Sequence, residues 1–182
     1  MSDETESKNE DGAGGAPNGQ AGSDSAPAPV WRLVSQYVKD LSFENPNAPA
    51  SILAGNAMPK FDVNINVGVN KLPEDIYSVD MTLKAKAERD NILLFNIELV
   101  YGGAFLVKNI PDQQLAPLLM IESPRLLFPF ARQILASISQ QGGFPPLMME
   151  PVDFAAIYRN NLAALARQQQ EQGGQPAGEA PN

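Results

Sequence analysis

The chain has 182 residues, with 13 basic and 21 acidic side chains, no histidine and no cysteine, for a formal net charge of −8. That length holds one ordinary domain, and the missing residue types exclude disulfides, thiolate or imidazole metal sites and histidine-based acid–base catalysis. The charge is uneven: residues 1–29 set Lys8 against Asp3, Glu4, Glu6, Glu10, Asp11 and Asp24, and residues 169–182 add Glu171 and Glu179.

The body between these ends is nearly neutral and has no basic run to neutralise phosphates, so nucleic acid is not an expected partner. Residues 1–29 run through Gly, Ala, Pro, Ser, Asn and acids, and 169–182 repeat that character. Such segments bury too little apolar area to offset chain entropy; both are expected to be disordered, solubilising tails around a domain at 30–168. The acidic start lacks the bases and apolar stretch of a signal peptide, and no run approaches the ~20 apolar residues that span a bilayer. The expectation is a cytoplasmic protein without membrane insertion.

The body opens on WRLVSQYVKDLSFE, where Trp31, Leu33, Tyr37, Leu41 and Phe43 share one parity and Arg32, Gln36, Asp40, Ser42 and Glu44 the other. Period-two alternation predicts a strand with one buried face. After a long crossover, Phe61, Val63, Ile65, Val67 and Val69 alternate with polar residues and glycine, and Tyr77, Val79, Met81, Leu83 and Ala85 do the same. A turn at Glu88–Asn91 leads to a fourth strand with Leu93, Phe95, Ile97, Leu99 and Tyr101 on its odd face. The short links predict an antiparallel meander. Gly102–Gly103 then marks a bulge or sharp bend, or the close approach of a ligand backbone.

Beyond Pro111 the period changes. Asp112 opens a short helix with Leu115, Leu118 and Leu119. Ser123 reads as an N-cap before Pro124, with a stripe of Leu127, Phe130 (or Ala131), Ile134 and Ile138 ending at Gly142–Gly143. Pro129 should kink this helix or delay its start. Asp153 caps a last helix carrying Phe154, Ile157, Tyr158, Leu162 and Leu165. The fold class is α+β: a four-stranded antiparallel sheet followed by helices packed on one face.

No catalytic constellation emerges. Asp40 and Glu44 are roughly 13 Å apart along a strand at ~3.3 Å per residue, too far to work on one atom. The serines have no histidine to activate them, and no phosphate-binding glycine loop is present. The chain reads as a non-enzyme without cofactors. What it has is apolar surplus. Across all four strands the apolar faces exceed what one layer of helices covers, which favours a homo-oligomer burying Ile97, Leu99 and Tyr101 at an interface. Ile52, Leu53 and Met58 in the crossover, and Phe144, Leu147, Met148 and Met149 after Gly143, place more apolar groups in irregular chain. They are either a lid on the core or a groove for varied sequences, to which unbranched, polarizable methionine is suited.

Four segments, in order, carry a resemblance: VKDLSFENPNAP (38–49), IELVYGGAF (97–105), SPRLLFPFAR (123–132) and GGFPPLMMEPVDF (142–154). Over about residues 31–166 the chain resembles the SecB protein-export chaperones. The resemblance implies first strands pairing edge to edge in a dimer, and two dimers meeting through helices as a homotetramer. It also implies a groove for unfolded precursor proteins and docking to the SecA translocation ATPase. Family positions for that docking fall on Asp40, Glu44 and Glu98, with Asn96 where relatives carry an apolar contact. A chaperone dedicated to one client, such as an antitoxin, and a carrier of small apolar ligands are the alternative readings.

Overall fold

The computed structural model describes residues 27–53 and 58–173 (for 170–173 the backbone only). The tails expected at the two ends lie largely outside these residues, but the last helix runs on to Gly173, past the boundary expected at 168. The elements are β1 (Val30–Glu44), α1 (Ala50–Leu53), β2 (Lys60–Lys71), β3 (Ile76–Arg89), β4 (Ile92–Lys108), α2 (Asp112–Pro117), a π-helical stretch (Leu118–Glu122), α3 (Ser123–Gln141) and α4 (Phe154–Gly173). The strands form one antiparallel sheet in the order β1-β4-β3-β2. Asp90 and Asn91, with φ of 50° and 62°, make the two-residue turn between β3 and β4. Left-handed φ at both positions suits the twist of the flanking strands, and Asp and Asn tolerate it.

The inner face is the odd-numbered one. Val79, Met81, Leu83 and Ala85 of β3 and Ile97, Leu99 and Phe105 of β4 have no exposed surface. Leu127, Ala131 and Leu135 of α3 are equally buried in the same cluster. Each large side chain so covered contributes ~1.5–3 kcal/mol. This corrects one expectation: Ile97, Leu99 and the nearly buried Tyr101 are enclosed by their own chain and have no face left for a second copy. The surplus read from four strands is smaller than it looked because a single long helix lies along the central pair.

β1 departs from simple alternation. Its ladder with β4 slips between Leu33 and Ser35 and again between Val38 and Asp40, which are β-bulges at Val34 and Lys39. Between the bulges parity is reversed. Tyr37 therefore stands opposite Gly102 on the outer face rather than with Leu33 and Leu41, as expected. Gly102 and Gly103 are the counterpart. A Cβ on Gly102 would lie 2.6 Å from the Tyr37 ring, and one on Gly103 2.9 Å from Leu127 of α3. The glycines give room on opposite faces, and the bulges themselves are in the partner strand.

The helical run also starts earlier than Ser123. α2, the π stretch and α3 follow one another without a break, and Ser123 has helical φ and ψ rather than those of an N-cap. Fully buried, its Oγ donates to the Leu118 carbonyl (3.1 Å) and accepts from the Trp31 indole N–H (3.2 Å). Trp31 stacks on Phe105 at 6.1 Å. Pro129 neither ends nor delays α3. The buried stripe is Leu127, Ala131 and Leu135, so Ala131 rather than Phe130 faces the sheet; Phe130 and Leu126 are exposed, and Ile134 and Ile138 half-buried. Gly143 ends the helix at φ 87°, as expected of a C′ glycine. Asp153 caps α4 by accepting from the Ala156 N–H (3.0 Å), and Phe154 packs edge-on against Phe128. Leu162 and Leu165 are exposed, so the expected stripe is buried only at its start.

Candidate functional site

At one end of the sheet, beside edge strand β2, the chain surrounds an open groove of about 690 Å³. Its floor is aromatic. Phe95 of β4 is 5.0 Å from Phe144, 5.9 Å from Phe43 and 6.4 Å from Phe61, ring centroid to centroid. Two irregular segments make the walls. The crossover is held by Ser51, whose Oγ donates to Asn45 Oδ1 (2.7 Å) and whose carbonyl accepts from Arg89 (3.0 Å). The segment after α3 is held by the buried Ser139 hydroxyl, which accepts from the Leu147 N–H (2.8 Å) and donates to the Ala136 carbonyl (3.0 Å). Close packing joins the walls: a Cβ on Gly143 would lie 3.0 Å from Ile52.

Ile52, Met58, Phe144, Leu147, Met148 and Met149, named from the sequence, all line this groove. Leu53 does not; it is 80% exposed. Met58 and Met148 are 92% and 63% exposed, so the rim offers flexible thioether side chains to solvent above a fixed aromatic floor. Phe61, Val63 and Leu94 also line it and were missed. Phe61 and Val63 read as ordinary core on a strand, and only their half-exposed state sets them apart; Leu94 has the opposite parity and is buried where the β3–β4 ladder slips. A second groove, of about 540 Å³ between α3 and residues 148–154, shares Met148.

The outer face carries the acids. Asp40, Ser42 and Glu44 of β1 stand opposite Val100, Glu98 and Asn96 of β4, so Asp40, Glu44, Glu98 and Asn96 form one patch. Glu98 accepts from Lys84 at 3.0 Å in an exposed pair. Asp40 and Glu44 make no ion pair among the described residues. Next along the face lies a polar chain that sequence reasoning missed. Lys39 donates to Asp80 Oδ2 (2.5 Å), Ser78 donates to Asp80 Oδ1 (3.2 Å), and the Tyr37 hydroxyl is 3.4 Å from Ser78 Oγ. Asp80 is only 9% exposed although it sits on the solvent side of the sheet. The hydrogen bond to Asp80, and then its charge, raise the Lys39 pKa above the usual lysine value. Burial raises that of Tyr101. Among the described residues no cluster of acids is arranged to hold a metal ion, and no helix is long and apolar enough to cross a membrane.

This architecture is α+β, a four-stranded antiparallel sheet with helices on one face and an apolar groove at its end. With a SecB-like chaperone of Mycobacterium tuberculosis, solved in complex with a peptide from an antitoxin, it shares a TM-score of 0.55 at 12% identity, over 67% of this chain and 87% of that one. Residues 24–165 match the family described as preprotein translocase subunit SecB. A protein-export protein SecB of Rhodopseudomonas palustris is 52% identical over 79% of this chain and 90% of its own length. One of Bartonella bacilliformis is 50% identical over 75% and 86%. The chain belongs to the SecB family.

Proposed function

We propose that this SecB-family export chaperone holds unfolded stretches of precursor proteins in the aromatic-floored groove and hands them to the SecA translocation ATPase through the outer-face acids. The observation that carries the reading is the groove: an aromatic floor under exposed, unbranched methionine rims, open to solvent, takes apolar side chains of many shapes and demands none. Docking belongs on the other face, where Asp40, Glu44 and Glu98 share one patch. The working assembly is a homotetramer. Its dimers pair along the free edge of β1, where Val34, Tyr37, Val38 and Leu41 are exposed, and meet through the outward side of α3, where Leu126 and Phe130 are exposed. The antitoxin-bound relative has a like fold only, and the unpaired acids favour a general export role over a single dedicated client. Exposed methionine rims favour extended chain over a small enclosed ligand.

The test is a pair of binding measurements on Asp40→Lys with Glu98→Lys. SecA binding should be lost, and capture of an unfolded precursor and the native tetramer mass should be unchanged. Equal loss of both bindings would show that the two faces are not separate in function. SecA binding that survives the reversal would place docking elsewhere.

A further inference from the structure

We infer that Asp80 is a positioning residue for docking: it holds the Lys39 ammonium off Asp40 and so keeps the outer-face acids uncompensated. The inference rests on the docking reading above. The bulge at Lys39 puts two consecutive side chains on the outer face, Asp40 opposite Val100 and Lys39 reaching over to β3. An ammonium beside a carboxylate on one face is its nearest counter-ion and would cancel it. Here it goes to Asp80 instead. Asp80 is the stronger competitor because it is 9% exposed, and a carboxylate with little water around it gains more from an ammonium than a solvated one does.

The trap is built in place. Ser78 fixes Asp80 Oδ1, Tyr37 closes over Ser78, and Gly102 leaves the space; a Cβ there would lie 2.7 Å from Asp80 Oδ1 and 2.6 Å from the Tyr37 ring. The raised pKa of Lys39 agrees with a committed partner. As a result Asp40 and Glu44 stay uncompensated for a cationic partner, and among the described residues Glu98 is held only by the exposed Lys84, a kind of pair worth little.

The test measures equilibrium binding of purified SecA to the full chain at low salt. Asp80→Asn keeps the shape and the Ser78 contact but releases Lys39, and should weaken docking roughly threefold to tenfold. Adding Lys39→Met to it removes the ammonium and should restore docking, which a merely structural role for Asp80 would not allow. Lys39→Met alone should dock at least as tightly as the native chain, and this arm decides the matter if Asp80→Asn does not fold. Native mass and precursor capture should stay constant throughout. Normal docking by a folded Asp80→Asn, a double variant no better than the single, or weaker docking by a folded Lys39→Met each overturns the inference. Asp40→Asn separates the levels. If it docks normally the docking reading itself fails; if it weakens docking and Asp80→Asn does not, only the role of Asp80 is lost.

Discussion

The sheet has two free edges, and they are built differently. β2 runs twelve residues against β3 without a register shift, from Lys60 opposite Glu88 to Lys71 opposite Tyr77. β1 is longer, slips twice against β4, and is pinned from the outer face by the Tyr37–Ser78–Asp80–Lys39 chain. An open edge invites pairing with another chain, and bulges and charges are the usual means of controlling it. Regularity at β2 suits an edge whose end strand borders the groove through Phe61 and Val63. Bulges, and the tie from Lys39 to the buried Asp80 of β3, suit an edge that must present one register and one set of charges.

The sharpest way to separate an edge from the centre uses a cross-strand pair, Leu41 and Leu99, which face each other in the β1–β4 ladder. Leu99 has no exposed surface, so Leu99→Asp buries an unpaired carboxylate in the protomer; a loss above ~4 kcal/mol is expected, with no cooperative melting transition. Leu41 is 39% exposed. Leu41→Asp should cost about 1 kcal/mol and leave a folded protomer. Native mass then reads whether the β1 edge carries assembly; an intact tetramer would remove that role.

Two glycines flank Asp80 in one row across the outer face, Gly102 towards β1 and Gly68 towards β2. A Cβ on Gly102 meets Tyr37 and Asp80 well inside contact distance, whereas one on Gly68 finds its nearest neighbour at 3.9 Å. Gly102→Val should therefore cost about 2–3 kcal/mol. Gly68→Ala should change stability by no more than ~0.5 kcal/mol, or raise it by removing a flexible residue from a strand. Equal effects by denaturant titration would mean that the Tyr37 cover is not rigid.

At the β2 edge the expected effects are on binding. Met148→Ser and Phe61→Ser each remove part of the groove lining, and should weaken precursor capture about fivefold for ~1 kcal/mol of lost burial. The melting temperature should hardly move for Met148, which is 63% exposed. The smallest effect is on pH. The Lys39 pKa is raised in the folded chain, so the contribution of its pair is complete below the ordinary lysine value of 10.5 and declines as pH rises through the folded value. The difference in melting temperature between the native chain and Lys39→Met should be flat from neutral pH to about 10 and close above it.

The fold was legible wherever period and turn chemistry agreed. β2 and β3 could be read because their apolar residues keep parity from end to end, and β4 from Phe95 onward; before that a register shift at Leu94 turns Leu93 to the outer side, against expectation. Asp90–Asn91 closes the hairpin with residues that tolerate positive φ. β1 could be placed but not phased. Counting by twos runs straight through a bulge, so it places Tyr37 on the wrong face and gives no sign that Lys39 reaches Asp80. The helical region failed for a related reason. Ser123 followed by Pro124 has the look of a cap, but a π stretch carries the chain through it, which leaves Phe130 outside and Ala131 inside. Of the groove, the loop residues were readable because apolar groups in irregular chain are unusual. Phe61 and Val63 were not, since nothing in an alternating strand says which end of its inner face lacks a cover, and Leu94 was not because it is the extra residue of a register shift between β3 and β4. The shared face of Asp40, Glu44, Asn96 and Glu98 follows from parity alone, because the β1–β4 ladder runs without a slip from Asp40 to Glu44.

The bond from the Trp31 indole to Ser123 gives the chain an optical property. Trp31 is its single tryptophan, and it sits where the start of β1 meets the junction of the π stretch and α3. All indole emission therefore comes from that one joint, half-shielded and hydrogen-bonded while the helix lies on the sheet. When the joint opens the indole meets water and its emission shifts to the red; when distant parts of the chain move, it stays silent. Unlabelled protein thus carries a gauge for one event, the parting of α3 from β1, which can be read in the presence of any client that itself lacks tryptophan.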